Sequence, residues 1–434
     1  MSYAQKIEAL IQNSMDAILH RYQSDPAYPF IDTKLDLMTG NDFSSVDAWY
    51  KQKDVIYCWI QGRGMEALAR HISYFRSRND FKRAEALKKM LAQVTCNMEK
   101  CRRKNRGRLF FMMDMQGNFL KMDMQGNPEK ITQIPESSNY SDLFYAKGLM
   151  AAGAALENKS CFIRGKNYMK RVITDILAER FSTDQQMFDP ANPVLFTPGK
   201  LLQGPKMLML GGTALALHID DDTACWERRA GALLKQLFER YFAFEEKNGF
   251  QKYDFWEAVD TAFAPYSDNG KVLCDPGHGL EFVGLSLKNL LAFQTPARLR
   301  DVRKCRKFYA DLMIHLFDIG FAPGPGGIIK SFDLVSRQKI NTDMPWWSLP
   351  ETIRAAAFCS KFTGDKRCEK VLQLCLEAFF SRYVRYDIHQ MAIQTRNEQG
   401  EPAAVIPATP DADPGYHTNL SLIDALPIIR ELGI

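Results

Sequence analysis

Apolar residues recur at helical spacing along almost the whole chain, with Gly, Pro and Asn between the runs, and this pattern predicts twelve helices. They fall near residues 2–23, 47–77, 80–103, 140–157, 160–180, 203–219, 222–246, 277–293, 297–319, 346–361, 365–384 and 415–431. The breaks between them alternate in length. After the even-numbered helices, from the second to the tenth, only a few residues intervene, marked by Arg78-Asn79, Asn158-Lys159, Asp220-Asp221, Thr295-Pro296 and Thr363-Gly364. After the odd-numbered helices the connections are long. Helical hairpins repeated in series have this pattern, and stacking them buries a continuous core that no single unit buries alone. The expected fold is therefore all-α, a six-hairpin (α/α)6 barrel forming one domain over residues 1–434. Every long loop then lies at one end of the ring, where the N-termini of the even-numbered helices converge.

Several long loops carry strand signals. Between Leu109 and Ile131 the hexapeptide Met-Asp-Met-Gln-Gly-Asn occurs at 113–118 and again at 122–127, with Gln-Gly-Asn where a hairpin must turn. Residues 388–406, with Arg396-Asn397-Glu398-Gln399-Gly400 in the middle, predict a second hairpin. Short β-hairpins in the long loops of one face complete the expected architecture. Loops of this length in a compact fold usually wall or cover a site. The Gly-rich Pro323-Gly324-Pro325-Gly326-Gly327 lacks the lysine of a phosphate loop and is predicted to be a turn.

Composition narrows the class of function. Hydrophobic residues at 46% and aromatics at 12% supply a large core, and the net charge of +5 is small for 434 residues. The one dense basic run, Arg102, Arg103, Lys104, Arg106 and Arg108, is expected to be a solvated helix end, not a nucleic-acid site. No stretch reaches the roughly 20 apolar residues of a membrane span, and residues 1–23 lack an apolar signal core. Ten scattered cysteines with no C-x-x-C pair suggest reduced thiols in a cytoplasm.

The starts of the even-numbered helices hold the candidate chemistry. In Cys274-Asp275-Pro276-Gly277-His278-Gly279-Leu280-Glu281, Asp275 suits an N-cap and Pro276 the first helical position, so His278 and Glu281 share one face of the first turn. The other starts offer Trp59, Gln61 and Arg63; Tyr140 and Asp142; Lys206 and Met207; Trp346, Trp347 and Glu351; and Tyr416 and His417. Aromatic planes beside charged groups suit a polyhydroxylated ligand, and an imidazole titrating near neutrality can move a proton. A single histidine at a helix start is more often a cap, a paired Trp more often seals a core, and Arg63 has Glu66 as a partner on its own helix. The shared register of His278 and His417 in the repeat favours function over those readings. His20, His71, His218 and His315 are expected to be structural, and His389 is open.

Trp59-x-Gln61-Gly62-Arg63, Ser138-x-Tyr140-Ser141-Asp142-x-Phe144-Tyr145, Pro276-Gly277-His278-x-x-Glu281, Trp346-Trp347-x-x-x-Glu351 and Tyr416-His417 together resemble the successive signatures of the N-acylglucosamine 2-epimerase superfamily. That superfamily includes cellobiose 2-epimerases, mannose isomerases and sulfoquinovose isomerase. The resemblance implies an α/α barrel and sugar chemistry at C2 without metal or other cofactor, the C2 proton being exchanged by paired histidines through an enediol. Carried over, it makes His278 and His417 the general acid/base pair and Arg63 the cation for the enediolate oxygen. Trp59, Tyr140, Glu281, Trp346, Trp347 and Glu351 become sugar-contacting or histidine-orienting residues. Several members pair as dimers, so a homodimer is one implied state. The chain departs from the pattern at Lys206-Met207, where some members carry a histidine, and at Leu420, where an arginine is usual.

The leading expectation is a cytoplasmic sugar 2-epimerase or aldose–ketose isomerase acting on a small-molecule sugar, with no nucleic-acid or membrane partner. One alternative is an inverting glycoside hydrolase drawing on Glu281, Glu351 and Asp142. The other is a sugar-binding member without activity.

Overall fold

The computed structural model describes residues 1–134, 136–188, 197–295 and 305–434. Among them are twelve α-helices, of which the six even-numbered ones form an inner ring: α2 (Cys58–Arg76), α4 (Tyr140–Ala155), α6 (Gly204–Ile219), α8 (Pro276–Ala292), α10 (Ser348–Thr363) and α12 (His417–Glu431). Each packs on the next, and α12 returns to α2, so the ring closes. Outside it lie α1 (Tyr3–Ser24), α3 (Phe81–Lys104), α5 (Lys159–Leu177), α7 (Thr223–Tyr241), α9 (Arg306–Gly320) and α11 (Lys366–Ala378), each against an inner neighbour. This is the expected (α/α)6 barrel.

Burial separates the two layers. Thirteen of the sixteen residues of α4 are buried but only seven of the nineteen of α5, as expected when one helix is enclosed and the other keeps a wet face. Glycines bring inner helices together: a Cβ on Gly62 of α2 would sit 2.7 Å from the Phe144 carbonyl carbon, and one on Gly148 of α4 would sit 2.4 Å from the Gly62 oxygen. Larger residues there would force α2 and α4 apart.

The boundaries differ from expectation in instructive places. The second helix starts at Cys58, not at 47. Trp49 instead bonds the Gly126 carbonyl (2.7 Å) and Tyr50 stacks on Phe188 (4.5 Å between centroids), so residues 49–51 form a 3-10 turn held by other loops. The helix expected at 297–319 is seen as α9 from Arg306; residues 297–304 lie outside the described part. A π turn, Phe379–Tyr383, continues α11.

The Met-Asp-Met-Gln-Gly-Asn repeat builds two successive turns. In each, the aspartate carboxylate accepts from the asparagine N–H (Asp114/Asn118 at 2.8 Å, Asp123/Asn127 at 2.7 Å), while Gly117 and Gly126 take the positive φ that the turn needs. Strands Met112–Met113, Phe119–Met122 and Pro128–Ile131 thus form a meander, extended by Ile56–Tyr57. The hairpin expected at 388–406 forms around Arg396–Gly400, where the Asn397 N–H donates to the Glu401 carbonyl (2.9 Å), the Ala403 N–H to the Thr395 carbonyl (3.0 Å) and Arg396 bridges Pro402; in addition Thr395–Arg396 pairs with Met344–Pro345 and Met391–Ala392 with Val384–Arg385. The Gly-rich stretch is a turn joining Phe321–Ala322 to Gly327–Ile328, as predicted. A second four-stranded sheet, ordered Gln338–Asn341, Ser331–Asp333, Lys271–Cys274, Ser267–Asp268, ties the loop after α7 to the loop after α9 and leads directly into Asp275.

Candidate active site

A basin of about 700 Å³ opens at the loop end of the barrel. Of the residues expected there, Trp59, Arg63, Tyr140, His278, Glu281, Trp346, Trp347 and His417 line it. Glu351 stands behind His417.

His278 sits in the first turn of α8, which Asp275 caps by accepting from the His278 backbone N–H (3.2 Å), as the sequence predicts. The Nδ1 of His278 lies 3.0 Å from Glu257 Oε2 and 3.4 Å from Asp275 Oδ2, and the ring stacks on Trp347 (5.2 Å, 28°). Lys330 pairs with Asp275 at 2.6 Å and lines the same wall. Desolvation works against the imidazolium, but Asp275 and then Glu257 outweigh it, so the pKa is pushed up to about 9.

His417 opens α12, where Asp413 takes the place of a cap by accepting from the N–H groups of Tyr416 (2.8 Å), His417 (3.3 Å) and Thr418 (2.8 Å). Its Nδ1 is 3.0 Å from Glu351 Oε1, and the other oxygen of Glu351 is held by Arg354. Burial alone would raise the Glu351 pKa; Arg354 and His417 reverse this and hold it below the usual carboxylate range. Trp347 lies 5.8 Å from the His417 ring, so both imidazoles rest against the same indole.

Glu281 is 2% exposed and, among the described residues, makes no hydrogen bond or ion pair. Burial pushes its pKa up, and the charge of Glu351 adds to this. Glu281, Glu351 and His417 offer ligand atoms within 4.8 Å of one another and are the described group with spacing for a metal ion. Arg354 already supplies the counter-charge to Glu351 there, and His417 Nδ1 is already engaged by Glu351.

Arg63 does not pair with Glu66, which instead binds Lys147 at 3.1 Å. Its guanidinium lies over the Phe144 ring (4.1 Å) with Nε lacking a partner among the described residues. Burial pushes its pKa down, countered by Tyr416 and then Glu281. An arginine held by aromatic faces and left free at a basin wall is available to an anionic oxygen. Trp59 is fixed by its indole N–H to Asp184 (3.1 Å), whose carboxyl also accepts from Ser141 Oγ (2.5 Å) and is pushed by burial up to about 7.

Other candidates lie elsewhere. Asp142 is fully buried against Arg108 and Tyr168, so it has no access to the basin, and Arg108 is correspondingly not a solvated end of the basic run. Lys206 turns to Glu179 (2.8 Å), leaving Met207 to line the basin. Gln61 bonds the Ile31 backbone in both directions, and Tyr416 Oη bonds Lys147. His71 bridges the Ala67 carbonyl and Asn419 inside the core, His315 bonds Asp254, and His389 is exposed outside the basin. Leu420 is buried in the apolar core. Glu257, Lys330, Asp184 and Asp413 escape sequence reasoning because they sit on long connections with no place in the helical register. Only the Asp-x-x-x-His spacing before α12 offers a signal.

No disulfide joins the described cysteines, and no described helix is long and apolar enough to cross a membrane. Curated protein sequences give no match. Among solved structures, the chain is similar to cellobiose 2-epimerase from Spirochaeta thermophila (12% identity, TM-score 0.67, covering 100% of this chain and 98% of that one). It is also similar to a D-mannose isomerase (14%, TM-score 0.68, 98% and 99%). A GH76 α-mannanase from Bacteroides thetaiotaomicron matches at TM-score 0.51 (12%, 99% and 97%). Such identities establish a common fold. The model of the N-acylglucosamine 2-epimerase family matches residues 113–419, and the chain belongs to that family.

Proposed function

We propose that the protein is a sugar 2-epimerase or aldose–ketose isomerase that moves the C2 proton through an enediolate, with His278 and His417 as the proton-transferring pair. The observation that carries this is the pairing of two imidazoles at one basin, each with a carboxylate on Nδ1 and both against Trp347. A carboxylate on Nδ1 leaves Nε2, across the ring, as the working nitrogen. Taking a proton from carbon next to a carbonyl needs a base at that carbon and a cation or donor at the oxygen that becomes negative. His417 is the base in this scheme, Arg63 the cation, and protonated His278 returns a proton to the other face for epimerisation. Returning it to C1, with the proton on O2 passing to O1, yields the ketose instead. Trp346, Trp347, Trp59 and Tyr140 cover C–H faces of the sugar, and Glu281 accepts or donates at a hydroxyl.

Inverting hydrolysis fits less well. The carboxylates of Glu281 and Glu351 lie within 4.8 Å, under the roughly 6.5–9.5 Å that leaves room for a nucleophilic water. Asp142, the other carboxylate of that scheme, is enclosed in the core.

Incubation in heavy water with hexoses, N-acylhexosamines and β-linked disaccharides tests the proposal. Deuterium at C2 of one of them is the expected result, and its absence from all of them contradicts the assignment.

A further inference from the structure

Beyond the signature residues, and resting on the functional reading above, we propose that Glu257 both positions His278 and forms a binding site for a hydroxyl group of the substrate. Glu257 belongs to the connection after α7, and its backbone is pinned on both sides: its N–H donates to the Leu273 carbonyl (2.9 Å), and its carbonyl accepts from the Gln203 N–H (3.0 Å). Its carboxylate is therefore delivered to a fixed point on the basin wall. Oε2 accepts from His278 Nδ1 at 3.0 Å and from Gln203 Nε2 at 3.3 Å. Oε1 is buried and has no partner among the described residues.

The two oxygens thus have different tasks. The Oε2 contact fixes which ring nitrogen of His278 carries the inward proton, so Nε2 is the one facing the basin. Asp275 is a poorer candidate for that task, since it lies 3.4 Å from Nδ1 and is already committed to Lys330 (2.6 Å) and to capping α8. The free Oε1 is an acceptor shut away from bulk water, and leaving such a group unpaired is unfavourable. A hydroxyl donor of the bound sugar satisfies it, whereas a carbonyl or ring oxygen cannot. The charged or titratable groups around His278 are Asp275 from its own helix start, Glu257, Lys330 from the loop after α9 and Glu281 one turn further along α8; Trp347 covers a face of the ring.

The experiment uses the full chain with ¹³C-labelled histidine, His278→Asn identifying the resonance. In the unmodified protein the His278 ring is expected to titrate near 9. In Glu257→Gln, equal in size but uncharged, the midpoint falls by about one pH unit or more, and Glu257→Asp recovers part of that fall. Binding of the hexitol D-glucitol, followed by calorimetry, weakens about tenfold in Glu257→Ala, the loss of one hydrogen bond to a charged group. With a sugar that exchanges C2, Glu257→Gln lowers kcat and moves the alkaline limb of its pH profile to lower pH, which a purely structural role does not do. An unmoved His278 midpoint in Glu257→Gln overturns the positioning role, and unchanged hexitol binding overturns the hydroxyl site. Absence of C2 exchange by the unmodified protein contradicts the functional proposal alone, since titration and hexitol binding report on Glu257 independently. If Glu257→Gln fails to fold, Glu257→Asp decides: with carboxylate reach shortened, the midpoint falls or the positioning role is wrong.

Discussion

The two imidazoles of the basin have opposite surroundings. His278 has a side chain 30% exposed and faces two carboxylates, Glu257 and Asp275, with Lys330 offsetting part of their charge. His417 has a side chain 9% exposed; its Nδ1 is engaged by Glu351, whose charge is shared with Arg354, and Glu281 lies in the same cluster within 4.8 Å. The two carboxylates favour the protonated form of His278, while Glu351, held by Arg354, orients His417 through Nδ1. In the proposed mechanism His278 gives a proton and His417 takes one. A proton removed from one face of a carbon and returned to the other calls for one acid and one base.

The largest expected effect comes from erasing either ring. His417→Asn and His278→Asn each reduce C2 exchange by on the order of 10²–10⁴-fold, measured by deuterium incorporation. The comparison sharpens if reduction of wash-in is steeper in His417→Asn when exchange is followed in the direction that starts at His417. Arg63→Ala follows, with a loss of about 10²–10³-fold in kcat and a smaller change in KM expected if, as proposed, its guanidinium serves the transition-state oxygen.

Glu351→Gln attacks stability as well as orientation. It leaves the Arg354 guanidinium buried without its partner, and urea unfolding is expected to show a loss of about 3–5 kcal/mol. The corresponding Glu257→Gln change next to the more exposed His278 destabilises less.

Proton storage also predicts a pH dependence. The folded His278 pKa of about 9 lies above its unfolded value, so its contribution to stability is complete below about pH 6.5 and is lost as pH rises through about 9. Thermal unfolding scanned from pH 6 to 10 reports that loss, and His278→Asn flattens it. The smallest effect is Lys330→Met, which removes the cation opposing the His278 proton and shifts its midpoint upward by a fraction of a unit.

The barrel is legible in the sequence because alternating loop lengths and full-width apolar helices are repeated along the chain. The helix starts bearing Arg63, His278, Glu351 and His417 follow from that register, and Asp275 and Pro276 mark the start of α8. What the pattern cannot carry is the content of the long loops. Trp49 and Tyr50 read as helical because their aromatic spacing fits a helix, yet tertiary contacts with Gly126 and Phe188 decide their conformation. Glu257 and Lys330 reach His278 only because the second sheet and the Leu201–Leu202/Ala258–Val259 pair hold their loops over the barrel mouth. Thr395–Arg396 finds its strand partner some 50 residues earlier, at Met344–Pro345, where no local turn signal points.

A crystal structure with a bound hexitol tests most directly whether both rings serve one carbon. The account predicts C2 of the ligand within about 3.5 Å of Nε2 of His278 on one side and of His417 on the other, with Arg63 at the adjoining oxygen. A hexitol seated in the basin with C2 beyond the reach of either imidazole would contradict it.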